Sequence, residues 1–190
     1  MGGADTEHPV LDLLVERGAN AIEHPGGTLL AHLRRVAALL DAWGAPDGVQ
    51  TAGLCHACYG TDGFSVSLLG LDERQVLAAR IGRRPEAWVY RYASCDRGAV
   101  YPELGTPGPL RFRDRFTGDT STLSELEAAV LAEITAANEL DLVTVNPAWG
   151  RRIGPDLLDL VRAMGPRLSG GARDAWNAWA VLSLTHSGRP

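Results

Sequence analysis

The sequence predicts an all-α fold with one small β-hairpin or flap near residues 109–120. Apolar residues recur at helical spacing over most of the chain, glycine and proline separate these stretches, and only residues 101–121 break the pattern. A chain of 190 residues, 45% of them hydrophobic, is long enough to bury a core. We therefore expect one helical domain over residues 1–190, with a core within 9–145 and C-terminal helices within 153–185.

The first two predicted helices, over residues 9–18 and 29–43, flank the turn sequence Glu-His-Pro-Gly-Gly-Thr. Thr28 ends this turn and can cap the second helix with its side-chain oxygen. On that helix His32 shares a face with leucine and valine residues. We expect His32 to point toward the core.

Shorter helices are expected in the middle of the chain. Asp47 can cap a largely buried helix over residues 48–58, and two more helices are predicted over 72–81 and 85–95. Pro85 suits the first turn of the last of these, where its missing N–H is not needed.

In the second half of the chain, Leu110 and Phe112 alternate with arginines, which is typical of a short strand with one buried face. Residues 122–125 (Thr-Leu-Ser-Glu) fit a capping box that opens a long helix. That helix is expected to reach Leu142, and two further helices are expected over residues 154–164 and 171–184.

Composition excludes several classes of function. The net charge is −5 without a long run of either sign, so we expect no nucleic acid partner, because phosphate binding needs clustered positive charge. No apolar stretch approaches the roughly 20 residues that span a bilayer, and residues 1–9 do not read as an export leader, so we expect a cytoplasmic protein without a membrane partner. All 18 basic residues are arginines, which excludes a lysine Schiff base.

The chain has three cysteines, Cys55, Cys58 and Cys95, an odd number that does not indicate a disulfide framework. Cys55 and Cys58 form a Cys-x-x-Cys pair, which indicates redox chemistry when it lies in a βαβ setting. The sequence shows no such setting, so we favour cysteines that pack in the core as small hydrophobic residues.

Candidate chemistry centres on three histidines. His24 lies in the turn before the second helix, His32 on the inner face of that helix, and His56 near the end of the next helix. Two antiparallel helices joined by a short turn can bring His32 and His56 together. A single buried histidine is often only a hydrogen-bonded core residue, but three in adjoining elements predict a functional site.

Without a metal, His32 or His56 would act as a general base, and Asp96 would set the tautomer of that base or pair with Arg97. A solvated Asp96–Arg97 pair is the structural alternative. The segment 111–115 fits either an anion-binding flap or a charged edge strand. The candidate catalytic residues are His24, His32, His56 and Asp96. The candidate substrate-binding residues are Thr28, Tyr59, Thr61, Tyr90, Arg97 and Arg115.

The stretches TLLAHLRRVAALL and AGLCHACYG resemble the opening of the HD-domain superfamily, in which a histidine on one helix precedes a His-Asp pair at the end of the next. With YRYASCDR and RFTGDT, they also resemble a bacterial family of uncharacterised proteins, a domain of unknown function, over about residues 18–145. That narrower family implies no activity. The superfamily implies an all-helical scaffold for one or two divalent metals, usually for phosphoester hydrolysis and in some branches for oxidation by dioxygen at two irons.

The resemblance implies metal ligands at His32, His56 and Asn138, but this chain departs from the superfamily at two positions. Ala57 stands where the aspartate of the pair belongs, and Asn138 stands where the final aspartate is expected, with Asp141 three residues further on. Hard cations prefer carboxylate oxygens, so these departures weaken a two-metal site.

A site for one metal ion is still possible if His24 or Asp96 completes the ligand set. Iron, manganese or zinc would suit these ligands, and a site without metal is equally compatible with the sequence.

We expect a metal-dependent HD-like enzyme that acts on a small polar metabolite, by phosphoester hydrolysis or iron-dependent oxidation. One alternative is a metal-free lyase, isomerase or cyclase that uses histidine acid–base catalysis. The other is a non-catalytic domain that has lost its metals and binds a ligand or a protein. A homo-oligomer is compatible with each.

Overall fold

A computed structural model of the chain describes residues 10–185, with side chains through Ser183. The α-helices in this range are α1 (Leu11–Glu16), α2 (Leu29–Ala42), α3 (Asp47–Cys55), α4 (Arg74–Ile81), α5 (Arg83–Ser94), α6 (Arg97–Val100), α7 (Glu125–Val145), α8 (Pro147–Met164) and α9 (Gly170–Thr185). The strands are β1 (Glu23–His24), β2 (Gly27–Thr28), β3 (Leu110–Arg113) and β4 (Thr120–Leu123). The prediction of a mostly helical fold with a small β-hairpin is confirmed.

Helix α7 runs through the centre of the packed helices, in contact with α2, α3, α5, α8 and α9. Fourteen of its 21 residues are buried, so it carries polar side chains into the interior. Its capping box joins Ser124 and Glu127, because the Ser124 side chain accepts from the Glu127 N–H and the Glu127 carboxylate accepts from the Ser124 N–H. The predicted box at residues 122–125 was wrong by two positions, since Thr122 belongs to β4.

Helix α2 packs against both α3 and α7. Thr28 caps it as predicted, with its hydroxyl oxygen 3.2 Å from the N–H of Ala31. The preceding hairpin turns at Pro25 and Gly26, and Gly26 adopts a φ of +78° that favours glycine. Asp47 was wrongly predicted as the cap of α3, because it is already the first helical residue and the capping position belongs to Pro46.

The β3–β4 hairpin covers one end of the helices. Leu110 pairs with Leu123, and the side chains of Leu110 and Phe112 are buried while those of Arg111 and Arg113 are exposed. The alternation in the sequence therefore predicted the hairpin correctly. The hairpin extends beyond the predicted range of 109–120, because residues 120–123 form its second strand.

The C-terminal helices pack against α7. Trp176 is buried in this contact and donates from Nε1 to the carbonyl of Ala136 at 3.1 Å. Helix α8 begins at Pro147, seven residues before the predicted 154–164, and continues through Pro155. Over residues 10–185, the structure contains no helix with the length and apolar composition of a membrane span.

Candidate functional site

Three histidines from neighbouring elements meet inside the protein. His24 comes from β1, His32 from α2, and His56 from the turn directly after α3. The rings of His24 and His32 stack with centroids 4.2 Å apart, and Nε2 of His32 lies 3.4 Å from Nε2 of His56. The structure thus brings together the three residues that the sequence singled out.

Asp141 on α7 binds the His32 ring at Nδ1, on the side opposite to the Nε2 atom that faces His56. Oδ2 of Asp141 lies 2.6 Å from Nδ1 of His32, and Arg35 donates to both carboxylate oxygens, from Nε at 2.6 Å and from Nη2 at 3.0 Å. Burial raises the pKa of Asp141, but the hydrogen bonds from His32 and Arg35 outweigh this effect and hold the pKa below its usual value. Asp141 is therefore an ionised acceptor, and Nδ1 of His32 carries a hydrogen.

The Nδ1 atom of His56 is also a donor. It lies 2.7 Å from the carbonyl oxygen of Gly53, which can only accept. Burial, followed by the neighbouring His32, lowers the pKa of His56 to about 3, so the ring is neutral at pH 7. The Nε2 atom of His56 then presents a lone pair toward His32.

Asn138, one turn before Asp141 on α7, is the third polar group of the cluster. Its Oδ1 atom lies 3.2 Å from Nε2 of His32, and its Nδ2 donates to Oε1 of Glu139 at 3.1 Å. The same Glu139 oxygen accepts from Arg97 at 3.3 Å. Burial raises the pKa of Glu139, an effect that Arg97 and the Asn138 hydrogen bond oppose.

These bonds leave three acceptor atoms facing one another. Both Nδ1 hydrogens are donated to oxygens outside the cluster, and the amide hydrogens of Asn138 face Glu139. The Nε2 atoms of His32 and His56 and the Oδ1 atom of Asn138 then have lone pairs but no hydrogen among them. Acceptors at this separation repel one another, and a cation, a shared proton or a water molecule that donates to them would relieve this repulsion.

A cavity of about 380 Å³ opens onto this cluster. Thr61, Arg97 and Glu139 contribute polar groups to its wall. Phe64 and Trp149 contribute apolar surface. This volume lies at the lower end of the range for small-molecule sites, so the cavity suits a small polar ligand.

His24 also lines the cavity, at the edge of the cluster. Burial, followed by His32, lowers the pKa of His24 to about 4. Its buried Nδ1 lies beside the Pro25 backbone but makes no hydrogen bond of good geometry with any described residue. The ring packs edge-on against Phe64 with centroids 5.3 Å apart. His24 therefore shields one face of His32 and does not share a hydrogen bond with it.

A pair of metal ions does not fit these residues. Ala57 lines the cavity without a carboxylate, and Asp141 is engaged by Arg35. Over residues 10–185, no three histidine, cysteine, aspartate or glutamate side chains converge as a ligand set. The two imidazoles and the amide oxygen leave room for at most a single ion, and two of their separations can be compared with those of zinc ligands. Neighbouring ligands of tetrahedral zinc, bound at about 2.0–2.1 Å, lie about 3.3–3.4 Å apart, and the separations in the cluster are 3.4 and 3.2 Å.

Asp96 does not contact the histidines. Its side chain caps α6 by accepting from the N–H of Ala99 at 3.1 Å, and it lies 3.5 Å from Nε of Arg113. The expected pairing of Asp96 with Arg97 was wrong, because Arg97 turns inward to Glu139. The carboxylate that orients His32 is Asp141 instead.

Four of the candidate substrate-binding side chains have structural partners, and the structure places them outside the cavity. Thr28 caps α2, Tyr59 donates to Glu86 at 3.0 Å, Tyr90 donates to Asp114 at 2.8 Å, and Arg115 donates to the carbonyl of Ala93 at 2.7 Å. Thr61 and Arg97 are the two candidates that line the cavity.

Sequence reasoning missed Arg35 and Glu139. Arg35 lies three residues after His32 on α2, and both side chains bind Asp141. The sequence did offer a signal for Glu139, because it directly follows the candidate ligand Asn138. Asp141 was noted only for its spacing from Asn138, which is three residues and places both on one helix face.

The fold and the cluster define a mostly helical protein with a buried histidine–carboxylate centre. Residues 13–97 match the model of a family described as Domain of unknown function (DUF6817). The matched segment includes all three histidines of the cluster and stops before Asn138 and Asp141. The resemblance to a family of uncharacterised proteins is confirmed over these residues. Searches of curated proteins and of solved structures found no match to the chain.

Proposed function

We propose that this protein binds one transition-metal ion through His32, His56 and Asn138 and acts on a small polar metabolite in the adjoining cavity. The observation that carries the proposal is that three acceptor atoms converge, namely Nε2 of His32, Nε2 of His56 and Oδ1 of Asn138. The N–H hydrogens of the same three side chains are donated to other groups. Metal-bound histidines commonly donate their second ring hydrogen to a carboxylate or a backbone carbonyl. His32 and His56 have these two partners, Asp141 and Gly53 respectively.

Iron, manganese and zinc are compatible with imidazole nitrogen and amide oxygen ligands. A bound ion would supply Lewis acidity toward a phosphoester or, as iron, a site for oxidation by dioxygen. Asp141 and Arg35 keep the His32 ring in one orientation. Thr61 and Arg97 offer hydrogen bonds to a polar substrate, and Phe64 and Trp149 reduce the access of water.

As part of the same proposal, we infer that the protein is related to the HD-domain superfamily. The three proposed ligands come from α2, the end of α3 and α7, which is the order that the resemblance implies. The neutral residues at positions 57 and 138 restrict the proposal to one ion, because the carboxylates that hold a second ion are absent from those positions.

A second candidate is metal-free acid–base catalysis. It is favoured by the same convergence, because a proton shared between His32 and His56 also relieves the repulsion among the acceptors. Asp141 would then stabilise the charged ring, as a carboxylate does for a catalytic histidine. Lyase, isomerase or cyclase chemistry would suit such a pair.

Calorimetric titration of the metal-stripped protein with zinc, manganese and ferrous ions tests the first candidate. We expect one ion per chain for at least one metal, and loss of that binding in His32→Ala and in His56→Ala. Tyr90→Phe is the matched control, because Tyr90 lies outside the cavity and its loss should leave the affinity unchanged. Circular dichroism of each variant establishes that it is folded.

If the folded wild-type protein binds none of these ions, the metal proposal is wrong. Proton NMR of the imidazole hydrogens then tests the second candidate, which predicts a strongly deshielded N–H that disappears in His56→Ala. Absence of both signals would favour a non-catalytic binding domain.

A further inference from the structure

We propose that Glu139 is a positioning residue that fixes the amide of Asn138, so that Oδ1 and not Nδ2 faces the histidine pair. This inference rests on the proposed metal site. Glu139 is not one of the proposed ligands. Among the described residues it makes no hydrogen bond to His32 or His56.

The oxygen and nitrogen of an asparagine amide differ little in size, so hydrogen-bond partners decide which of them faces a given neighbour. Oε1 of Glu139 lies 3.1 Å from Nδ2 of Asn138. A carboxylate can only accept, so it selects the amide hydrogens and leaves Oδ1 for His32.

The opposite orientation would be favourable in the absence of Glu139. A turned amide would donate from Nδ2 to the Nε2 lone pair of His32 and would remove the repulsion among the three acceptors. Glu139 therefore holds the cluster in the arrangement that a cation requires and that the uncharged cluster would otherwise avoid.

Arg97 in turn holds Glu139. Its Nη1 donates to the same Oε1 atom at 3.3 Å, and its Nη2 lies 3.2 Å from the hydroxyl oxygen of Tyr92. A Cβ atom at Gly63 would lie 3.2 Å from Nη1, so the loop before α4 packs closely on the guanidinium. Arg97 is thereby held by groups other than Glu139, and it gives the Glu139 carboxylate a second, independent contact.

The first test compares zinc affinity in Glu139→Met and Glu139→Gln. The methionine variant keeps the length of the side chain but has no strong acceptor, and we expect its affinity to fall about tenfold or more, the range seen for partners of metal ligands. Glutamine retains an oxygen that can accept from both Asn138 and Arg97, so Glu139→Gln should stay within about threefold of the wild type.

A double mutant separates positioning from a general loss of packing. In Asn138→Asp the ligand is a carboxylate, which presents oxygen in either orientation. We expect the Glu139→Met effect to disappear in this background. An equal loss of affinity in both backgrounds would overturn the proposal, because a packing defect would act on either ligand.

A measurement on the metal-free protein distinguishes failure of this inference from failure of the proposed function. In the NMR spectrum of the wild type, nuclear Overhauser effects should connect the Asn138 amide hydrogens to the Glu139 side chain, and in Glu139→Met to the His32 ring hydrogens. Contacts to the His32 ring in the wild type would overturn the inference.

If the wild type shows the Glu139 contacts but binds no metal, the proposed function fails and the positioning role stands. If it binds zinc and Glu139→Met binds equally well, the positioning role fails and the proposed function stands.

Discussion

Nδ1 of His32 and Oδ2 of Asp141 lie 2.6 Å apart across 109 residues of sequence. This hydrogen bond joins α2 to α7 and sets which nitrogen of His32 faces the cavity. Because Asp141 is buried and also accepts two bonds from Arg35, the pair contributes both to stability and to the geometry of the cluster.

Replacement of Asp141 by alanine should destabilise the protein. It leaves Nδ1 of His32 without its acceptor and the half-buried Arg35 without its anion, and we expect a loss of about 2–4 kcal/mol in the free energy of unfolding. Urea denaturation measures it. The matched control is Asp159→Ala, which removes an exposed ion pair with Arg162 and should cause no measurable change. Equal effects of the two substitutions would contradict the structural role of Asp141.

An aspartate at position 57, where the proposed kinship with the HD-domain superfamily would place one, should strengthen metal binding. Ala57→Asp places a carboxylate in the wall of the cavity beside His56, and hard cations such as manganese gain most from an added carboxylate. We expect tighter manganese binding by calorimetry, with lower stability of the metal-free protein because the new charge is buried. Ala57→Asn has nearly the same shape without the charge. If both variants bind manganese with equal affinity, the added carboxylate is not a ligand.

The hairpin that carries His24 should be sensitive to substitution at its tip. Gly26 and Gly118 have nearly the same φ, +78° and +80°, but a Cβ at Gly26 would lie 2.8 Å from Cβ of Val145, whereas nothing lies within 4 Å of one at Gly118. Gly118→Ala should cost about 1 kcal/mol from backbone strain alone. Gly26→Ala should cost about 1–3 kcal/mol more because of the clash. Similar thermal shifts for both variants would contradict the packing of this hairpin on α7.

The cysteines should be inert in the folded protein. All three are buried and free, and the hydrogen bond with Cys58, together with burial, raises the pKa of Cys55. Burial raises the pKa of Cys95 to about 12. An aromatic disulfide reagent should therefore react slowly with the native protein and rapidly with all three thiols in denaturant. Rapid reaction of two thiols in the native state would support the redox interpretation of the Cys-x-x-Cys pair.

Local sequence patterns predicted most of the helices and the burial of His32. Thr28 and the Leu110–Phe112 alternation were predictable because a cap and a two-residue period depend on neighbours within a few positions. The start of α8 was missed because glycine and proline at positions 154 and 155 indicate a helix boundary, yet packing on α7 carries the helix through them.

The site was less predictable than the fold. The meeting of His32 and His56 follows from two adjacent helices, but Asp141 reaches His32 only through the packing of α7 on α2. Asp96 was predicted as a partner of the histidines, but it caps a helix, and this role depends on the turn that begins α6. Arg35 was missed for the same reason as Asp141, because its partner lies on a helix more than 100 residues further along the chain.

The metal content of the tag-free protein is the direct test of the proposed metal site. Elemental mass spectrometry of the wild type and of His32→Ala, each purified and then reconstituted with iron, manganese and zinc, measures how many ions each chain retains. The account predicts close to one ion per wild-type chain and none in a folded His32→Ala variant. A folded wild-type protein that retains no ion after reconstitution, or a His32→Ala variant that retains as much as the wild type, would contradict it.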